Sequence, residues 1–571
     1  MSKKYCSFSV IIVLWLLICT ISCRETAKKP PVSAIVVTPE ELDKKAPEII
    51  QQSLEFAAAN DGNIGDSVFL FNSQLSQVIY EKNQFTPLWS SKEAWKPVAD
   101  SLVEFLNHCK LYGLFPEDYH LELLKTIRLR FNYDSLSTSF KRDAVLWSKA
   151  DLMLTDAFIH LVKDIRLGRL PNDSVSLRKD SLLSNDFYIQ QLDSLFRGVS
   201  LAGIMTALEP QHEGYRLIKA GLQKFLDSAD NRIYTIVPSS KTDTLAFKKA
   251  LQTRLFEGGY IPYDSVAADS LRLAAAVKKF QKQKNITVDG KAGEGTLRLL
   301  NITDRERFIR IAITLDRYKL LPLQMPERYI WVNLPSFTMK LQHGDSVVLQ
   351  SKIICGKPIT RTPLLTSAIS EIITYPQWTV PNSIIVKEIL PAIKQNPGYL
   401  ARKGFSLVDK NGEEVDPFTV DWSKYSKGIP YKVVQGSGDA NALGVLKFNF
   451  PNKYAVYLHD TNQRSLFGLA VRTLSHGCVR VQEWQKLADY IIRNDKAKST
   501  EKIEVDTARV PLIDSLESWL SKKEKHSIPV RNRLPVYIRY FTCEGKSAGI
   551  VFYDDIYGED KKLQERYFSG K

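Results

Sequence analysis

Tyr457-Leu-His459-Asp460-Thr461, followed by Leu474-Ser475-His476-Gly477-Cys478-Val479-Arg480, is the stretch around which this chain is read. A cysteine that acts as a nucleophile needs an imidazole to take its proton, amide N–H groups aimed at the developing oxyanion, and a group that holds the imidazole. Gly477 lets the backbone turn closely before Cys478 and present the Gly477 and Cys478 amides. From Gln482 onward Leu487, Ala488, Ile491 and Ile492 fall on one helical face. That reading places Cys478 just before a positive helix end, which favours the thiolate. Two other readings stay open. A solitary cysteine is commonly an inert buried side chain, and His459, His476 and Cys478 could grip zinc, although no fourth ligand is evident beside them. A papain-like site places Cys before His, the reverse of the order here.

His459, fifteen intervening residues and then Ser475-His476-Gly477-Cys478-Val479-Arg480 resemble the catalytic motif of L,D-transpeptidases with a YkuD-type domain. The resemblance implies that Cys478 is the acylated nucleophile, His459 the general acid/base, and the Gly477 backbone part of the oxyanion hole. It also implies that His476 shapes the turn and the oxyanion region, and that Arg480 meets a substrate carboxylate. Tyr457 and Ser475 are further candidate substrate-binding residues. No cofactor and no metal is expected.

At 571 residues the chain is long enough for three to four domains. Its 44% apolar and 25% charged residues are those of a globular protein that can bury cores of normal size. The net charge of +15 is spread along the chain, and no zinc-finger, RNP-like or basic-helix pattern supports nucleic-acid binding. An anionic envelope or wall surface suits it better. Lys3 and Lys4 precede an apolar run from Phe8 to Ile21, too short for a membrane span and suited to a signal peptide. Thr20-Ile21-Ser22-Cys23 then resembles a bacterial lipobox, with Cys23 as the lipidated residue. Ordinary cleavage near Ser22, or an uncleaved anchor, is the alternative. Residues 1–23 are therefore read as a signal peptide of lipoprotein type, and 24–47 as a polar, Pro-containing tether. Of the seven cysteines, Cys109, Cys355 and Cys543 are expected to be structural and Cys478 to be free.

The expected class is multidomain α+β. Residues 48–240 carry helical spacing, as in Leu102, Phe105, Leu106 and Cys109, or Leu152, Leu154, Ala157, Phe158 and Leu161. With Phe85-Thr-Pro-Leu-Trp89 and the segment Gly113 to His120, they resemble the helical scaffold domain of the large YcbB-like members of the family. Asp118 and His120 are read as structural. Residues 241–302 resemble a three-helix peptidoglycan-binding module, through Gly258-Gly-Tyr260, Ala276-Val-Lys-Lys-Phe-Gln281, Val288-Asp-Gly290 and Gly295-Thr-Leu297. Leu251, Leu255, Val277, Phe280 and Leu297 are its expected core, and it either binds wall or serves as a spacer. Residues 303–327 read as a helix returning to the scaffold.

From residue 328 the apolar period becomes two, as in Tyr329–Leu334, Phe337–Leu341 and Val347–Ile354, with a hairpin turn at His343-Gly-Asp345. Residues 328–510 are thus expected to form the β-rich catalytic domain. An insertion at about 379–443 resembles the family's capping insertion, and Tyr399 and Trp422 either line the donor channel or pack a core. Residues 511–571 are expected to close the domain with two strands, Leu534–Phe541 and Gly549–Tyr557.

The resemblance implies an envelope enzyme, periplasm-facing and lipid-anchored. It would release the terminal D-alanine of a peptidoglycan stem through a cysteine acyl-enzyme and form a 3-to-3 cross-link, with stem peptides and glycan strands as partners. Water as acceptor would make it a carboxypeptidase, and a protein amine would make it a wall-attachment enzyme. A catalytically inactive wall-binding lipoprotein is the reading from another class.

Overall fold

The computed structural model describes residues 29–91, 94–135, 141–178, 182–238, 244–262, 270–284, 286–495 and 510–571. The proposed signal peptide and Cys23 lie outside these residues. No helix among the described residues is long and apolar enough to cross a membrane. The chain divides into two compact units, one built from residues up to Pro171 with Lys179–Pro210 and Lys571, the other from Asn172–Arg178 and Gln211–Gly570.

The first unit is helical: α1 (Pro39–Ala59), α2 (Ser73–Lys82), α3 (Pro97–Asn107), α4 (Leu121–Ser135), α5 (Ala144–Arg166), α6 (Asn185–Phe196) and α7 (Leu201–Leu208). Its axis is α5, buried along nearly its whole length. Asp151 on α5 accepts from the Tyr80 hydroxyl at 2.6 Å and from the Leu88 and Trp89 amides at 2.7 and 3.0 Å. One buried carboxylate thereby fixes the Phe85–Trp89 segment, because an acceptor this deep must be fully satisfied. His120 bonds Asp156, and Asp118 pairs with Arg169 and Lys571, so both are structural. The expected tether ends earlier than residue 47. Thr38 caps α1 by accepting from the Glu41 amide, Pro39 occupies the first turn, and Ile35–Val36 pairs with Arg142–Asp143. Pro39 starts the helix, and the helix continues through Pro47 because Leu42, Ala46, Ile49 and Ile50 are buried on one face.

The second unit begins with α8 (Glu213–Ser228), which the sequence reading placed in the scaffold. Its Gly221 lies so close to Ile550 that a Cβ would come within 2.9 Å of that side chain. Gly545 reciprocates, since a Cβ there would sit 2.3 Å from the Leu217 backbone. Three helices follow, α9 (Thr244–Glu257), α10 (Ser270–Gln283) and α11 (Glu294–Asn301), around Leu251, Leu255, Val277, Phe280, Leu297 and Leu300. The helix expected to return to the scaffold, α12 (Asp304–Lys319), belongs to this second unit. There Arg317 on α12 pairs with buried Asp560 at 2.6 Å, and Cys543 meets Thr314 at 3.2 Å.

From residue 328 the chain builds a nine-stranded sheet. Its strands are β1 (Arg328–Asn333), β2 (Thr338–His343), β3 (Ser346–Gly356), β4 (Leu365–Thr374) and, after the insertion, others named below. The insertion contains β5 (Trp378–Thr379), α13 (Asn382–Ile384), a π-helical turn Ile385–Ile389, α14 (Leu390–Gln395), α15 (Tyr399–Arg402), β6 (Phe405–Val408) and β7 (Lys432–Gln435). It has its own core of Ile385, Ile389, Ile393, Leu400, Trp422 and Val433. The sheet resumes with β8 (Leu446–Asn449), β9 (Leu458–His459), β10 (Thr473–Ser475) and β11 (Val479–Val481). After α16 (Trp484–Asn494) and α17 (Val510–Ser521), β12 (Ser527–Arg539) completes it.

Strand order is β10-β3-β11-β9-β8-β4-β12-β1-β2, and β2 pairs back onto β3, which closes the sheet into a barrel. Ile330, Val332, Ile353, Ile372, Phe448, Leu458, Val479 and Val536 fill it. Only one of the two closing strands expected from the sequence joins this sheet. Gly549–Phe552 (β14) pairs instead with Cys543–Lys546 (β13) in a separate hairpin, followed by α18 (Glu559–Tyr567). Gly545 leaves that hairpin without bulk on the side where α8 packs, whereas a Cβ on Gly549 would meet nothing within 4 Å.

Candidate active site

Strand register decides which side chains meet. Leu458 on β9 lies opposite Val479 on β11 in a parallel pair, and both are fully buried in the barrel. Side chains alternate along a strand, so Tyr457, His459, Cys478 and Arg480 all emerge on the other face. On the far side of β9, Phe448 faces Leu458 and Lys447 faces His459, which brings Lys447 to the same surface. Five chemistry-bearing residues thus share one patch of sheet. Each barrel-facing neighbour contributes roughly 1.5–3 kcal/mol by burial, so the register is firmly specified.

The turn that delivers Cys478 is held from beneath by the loop after β3. Thr362 donates its hydroxyl to the Gly477 carbonyl at 2.8 Å and accepts from the Gly356 amide at 2.9 Å. The Lys357 amide donates to the Ser475 carbonyl at 2.9 Å, and Tyr557 donates to the Gly356 carbonyl at 2.6 Å. Gly356 has no substitute here, because a Cβ would sit 2.1 Å from the Thr360 carbonyl oxygen. Gly477 adopts φ +125°, a left-handed conformation that glycine alone takes easily.

Several expected roles change within that turn. The Gly477 amide donates to the Ser475 hydroxyl at 3.1 Å, and that hydroxyl donates to the Cys478 carbonyl at 2.6 Å. Ser475 is therefore spent inside the turn and offers nothing to a ligand. The Gly477 amide is spent with it, whereas the Cys478 amide has no acceptor among the described residues. The helix expected next to Cys478 starts only at Trp484, because Val479–Val481 is needed as a strand between β9 and β3. His476 is exposed and bonds Glu388 of the π-helical turn at 2.6 Å, linking the Cys478 turn to the insertion. Trp422 is buried in the insertion's own core, donating to the Pro417 carbonyl at 2.8 Å, and Tyr399 packs against the same core. Neither is brought to Cys478 by this packing.

Cys478 is half-buried, and its thiol faces the Ala455 carbonyl at 3.9 Å. Ala455 itself stands at φ +53°, a conformation uncommon for a residue with a side chain. Burial pushes the Cys478 thiol up, against the pull of the Tyr457 backbone and hydroxyl, Lys447 and Arg480. His459 is 4% exposed, and burial, followed by the charge of Arg480, lowers its imidazole to about 3. Main-chain groups of Leu443 and Asp460 work against that shift. The resting pair is thus a neutral thiol with a neutral imidazole, the form of histidine that can accept a proton. Arg480 donates to Gln463 at 3.3 Å, while its buried Nε has no partner among the described residues. No cluster of three or more potential metal ligands occurs among the described residues.

Sequence reasoning did not single out Lys447, Trp378, Thr362 or Tyr557. The alternation of Leu446, Lys447 and Phe448 was the available signal for the first of them, since a lysine between two core positions must face the opposite surface.

Residues 327–505 match the family described as "L,D-transpeptidase catalytic domain". Residues 248–300 match "Putative peptidoglycan binding domain", and residues 74–222 match "Scaffold domain". A Haemophilus influenzae (strain ATCC 51907 / DSM 11121 / KW20 / Rd) protein named "Putative L,D-transpeptidase" is 33% identical over 261 residues, which cover 46% of this chain and 50% of that protein. The chain thus spans about half the length of this relative.

Proposed function

We propose that this chain, which carries an L,D-transpeptidase catalytic domain beside a peptidoglycan-binding and a scaffold domain, is a cell-envelope acyltransferase that joins peptidoglycan stems through a cysteine thioester. The observation that carries this reading is the shared face of Tyr457, His459, Cys478 and Arg480 set by the β9–β11 register. His459, kept neutral by burial, takes the thiol proton as sulfur attacks the carbonyl of the third stem residue. The tetrahedral oxyanion meets the unengaged Cys478 amide. Collapse breaks the C–N bond, and the departing D-alanine amine receives the proton from His459. A second stem's amine then loses its proton to His459, attacks the thioester and returns the sulfur, leaving a 3-to-3 cross-link. The unpartnered Nε of Arg480 is a donor suited to a carboxylate of the stem. Cys23, as the lipidated residue, would tether the enzyme at the membrane surface, where its wall-binding module reaches the substrate.

Purified protein incubated with tetrapeptide-bearing wall fragments, followed by mass analysis, tests this. The expected products are free D-alanine and cross-linked dimers. Tripeptide monomers alone would establish water as the acceptor, and unchanged fragments would overturn the enzymatic reading.

A further inference from the structure

The sulfur of Cys478 has a hydrogen-bonding environment that the roles assigned above do not use. Tyr457 precedes the Leu458–Val479 pair as Cys478 does, so the two side chains lie side by side on one face, and the Tyr457 hydroxyl and backbone both work to hold the thiol down against burial. Trp378, on β5 of the insertion, acts on the same hydroxyl. An indole N–H can only donate. A Tyr457 oxygen that accepts from Trp378 keeps its single phenolic proton free for the sulfur. Over the Tyr457 ring stands the Lys447 ammonium, 4.0 Å from the ring centroid.

Lys447 is half-buried and makes no ion pair or hydrogen bond among the described residues, although the charges of Cys478 and Glu371 act on it. Glu371 is itself engaged by Asn449 at 2.6 Å and by Ser527. A partly desolvated cation with no carboxylate partner is costly, and the ring face offsets only part of that cost. What the patch lacks is a negative charge beside Tyr457. Ionisation of Cys478 supplies one there.

We propose that Lys447, Tyr457 and Trp378 form a built pocket for the Cys478 thiolate, with Tyr457 as the donor to sulfur, Lys447 as the positioning counter-charge across the ring, and Trp378 as the group that fixes the hydroxyl's direction. The proposal rests on Cys478 being the nucleophile. When the thiol proton leaves for His459, the anion left on sulfur keeps the Tyr457 hydrogen bond and gains the field of Lys447. When the thioester is later opened by an amine, the same groups receive the departing thiolate. Acylation and deacylation both profit, so the pocket acts on kcat more than on KM.

The test is the pH dependence of Cys478 alkylation by iodoacetamide in the full chain, located by peptide mapping, which requires no wall substrate. Lys447→Met is expected to move the midpoint up by about one pH unit, a roughly tenfold slower reaction near neutrality, and Lys447→Arg to restore most of it. Tyr457→Phe is expected to shift it in the same direction, and Trp378→Phe by less. Should Lys447→Met fail to fold, Trp378→Phe and Tyr457→Phe carry the same test with their packing preserved. A profile unchanged in the folded variants overturns the pocket, even if the protein cross-links stems. A shifted profile in a protein that leaves wall fragments unchanged upholds the pocket and overturns the enzymatic reading alone.

Discussion

Of the four free cysteines among the described residues, Cys109, Cys355 and Cys543 are wholly buried, and burial pushes all three thiols up, Cys355 and Cys543 to about 12. None shares its surroundings with a neutral imidazole and a free amide. A carbapenem, whose strained lactam a thiolate can open, is therefore expected to label Cys478 alone, by mass mapping, and to label nothing in Cys478→Ala. His459→Ala should slow that labelling by about 100-fold or more, the usual worth of a general base; undiminished labelling would remove His459 from the mechanism. Both residues stood out in the sequence because their spacing is itself the signal, and the strand register brings them to one face. Tyr457 was legible only as a neighbour, since nothing in Tyr457-Leu-His459 tells that Lys447 stands over its ring. Ser475 was misread for a related reason. A hydroxyl next to a catalytic turn looks available until the turn closes around it.

At the scale of elements, the turn that carries Cys478 is gripped from two sides, by the loop after β3 and by the insertion. Thr362→Val keeps the shape but leaves the buried Gly477 carbonyl and Gly356 amide without their partner. A loss of about 1–3 kcal/mol follows, read as a lower unfolding midpoint together with slower alkylation of Cys478. The bond from His476 to Glu388 is partly exposed and worth at most about 1 kcal/mol to stability, so Glu388→Gln should leave the midpoint nearly unchanged. Its effect belongs to the insertion, whose closeness to the turn it helps set, and is expected in KM; a change confined to kcat would place Glu388 in the chemistry instead. Periodicity announced the strands Tyr329–Leu334, Phe337–Leu341 and Val347–Ile354, while the three helices around Phe280 were read from their resemblance to a known module. It was silent on the Gly549 hairpin, which packs through the absent side chain at Gly545.

Across the whole molecule, a buried histidine, His459, and a half-buried one, His212, set how the second unit responds to acid. His459 is lowered to about 3 and His212 to about 4, each by burial first. The unfolded chain takes up these protons near pH 6.5, while the native state refuses them until pH 3–4. Their contribution to stability is thus present above pH 6.5 and lost as pH falls toward 3–4. The unfolding midpoint should drop across that window, and His212→Gln should make the drop shallower; an equal slope would show that other groups dominate. Removing residues 244–301 should weaken co-sedimentation with insoluble wall and spare turnover of small soluble stems, whereas undiminished sedimentation would make the module a spacer. The barrel has a further consequence, in the order of events during synthesis. Strand β12 lies between β4 and β1, pairing Val536 with Ile330, so the sheet has a missing stave until residues 527–539 have been made. Such long-range pairing is slow. A chain ending before residue 527 should be cut throughout 328–495 by a protease that leaves the full-length barrel intact. The face that carries Cys478 is therefore set only after residues 527–539 have been made, because until then the sheet that fixes its register is incomplete.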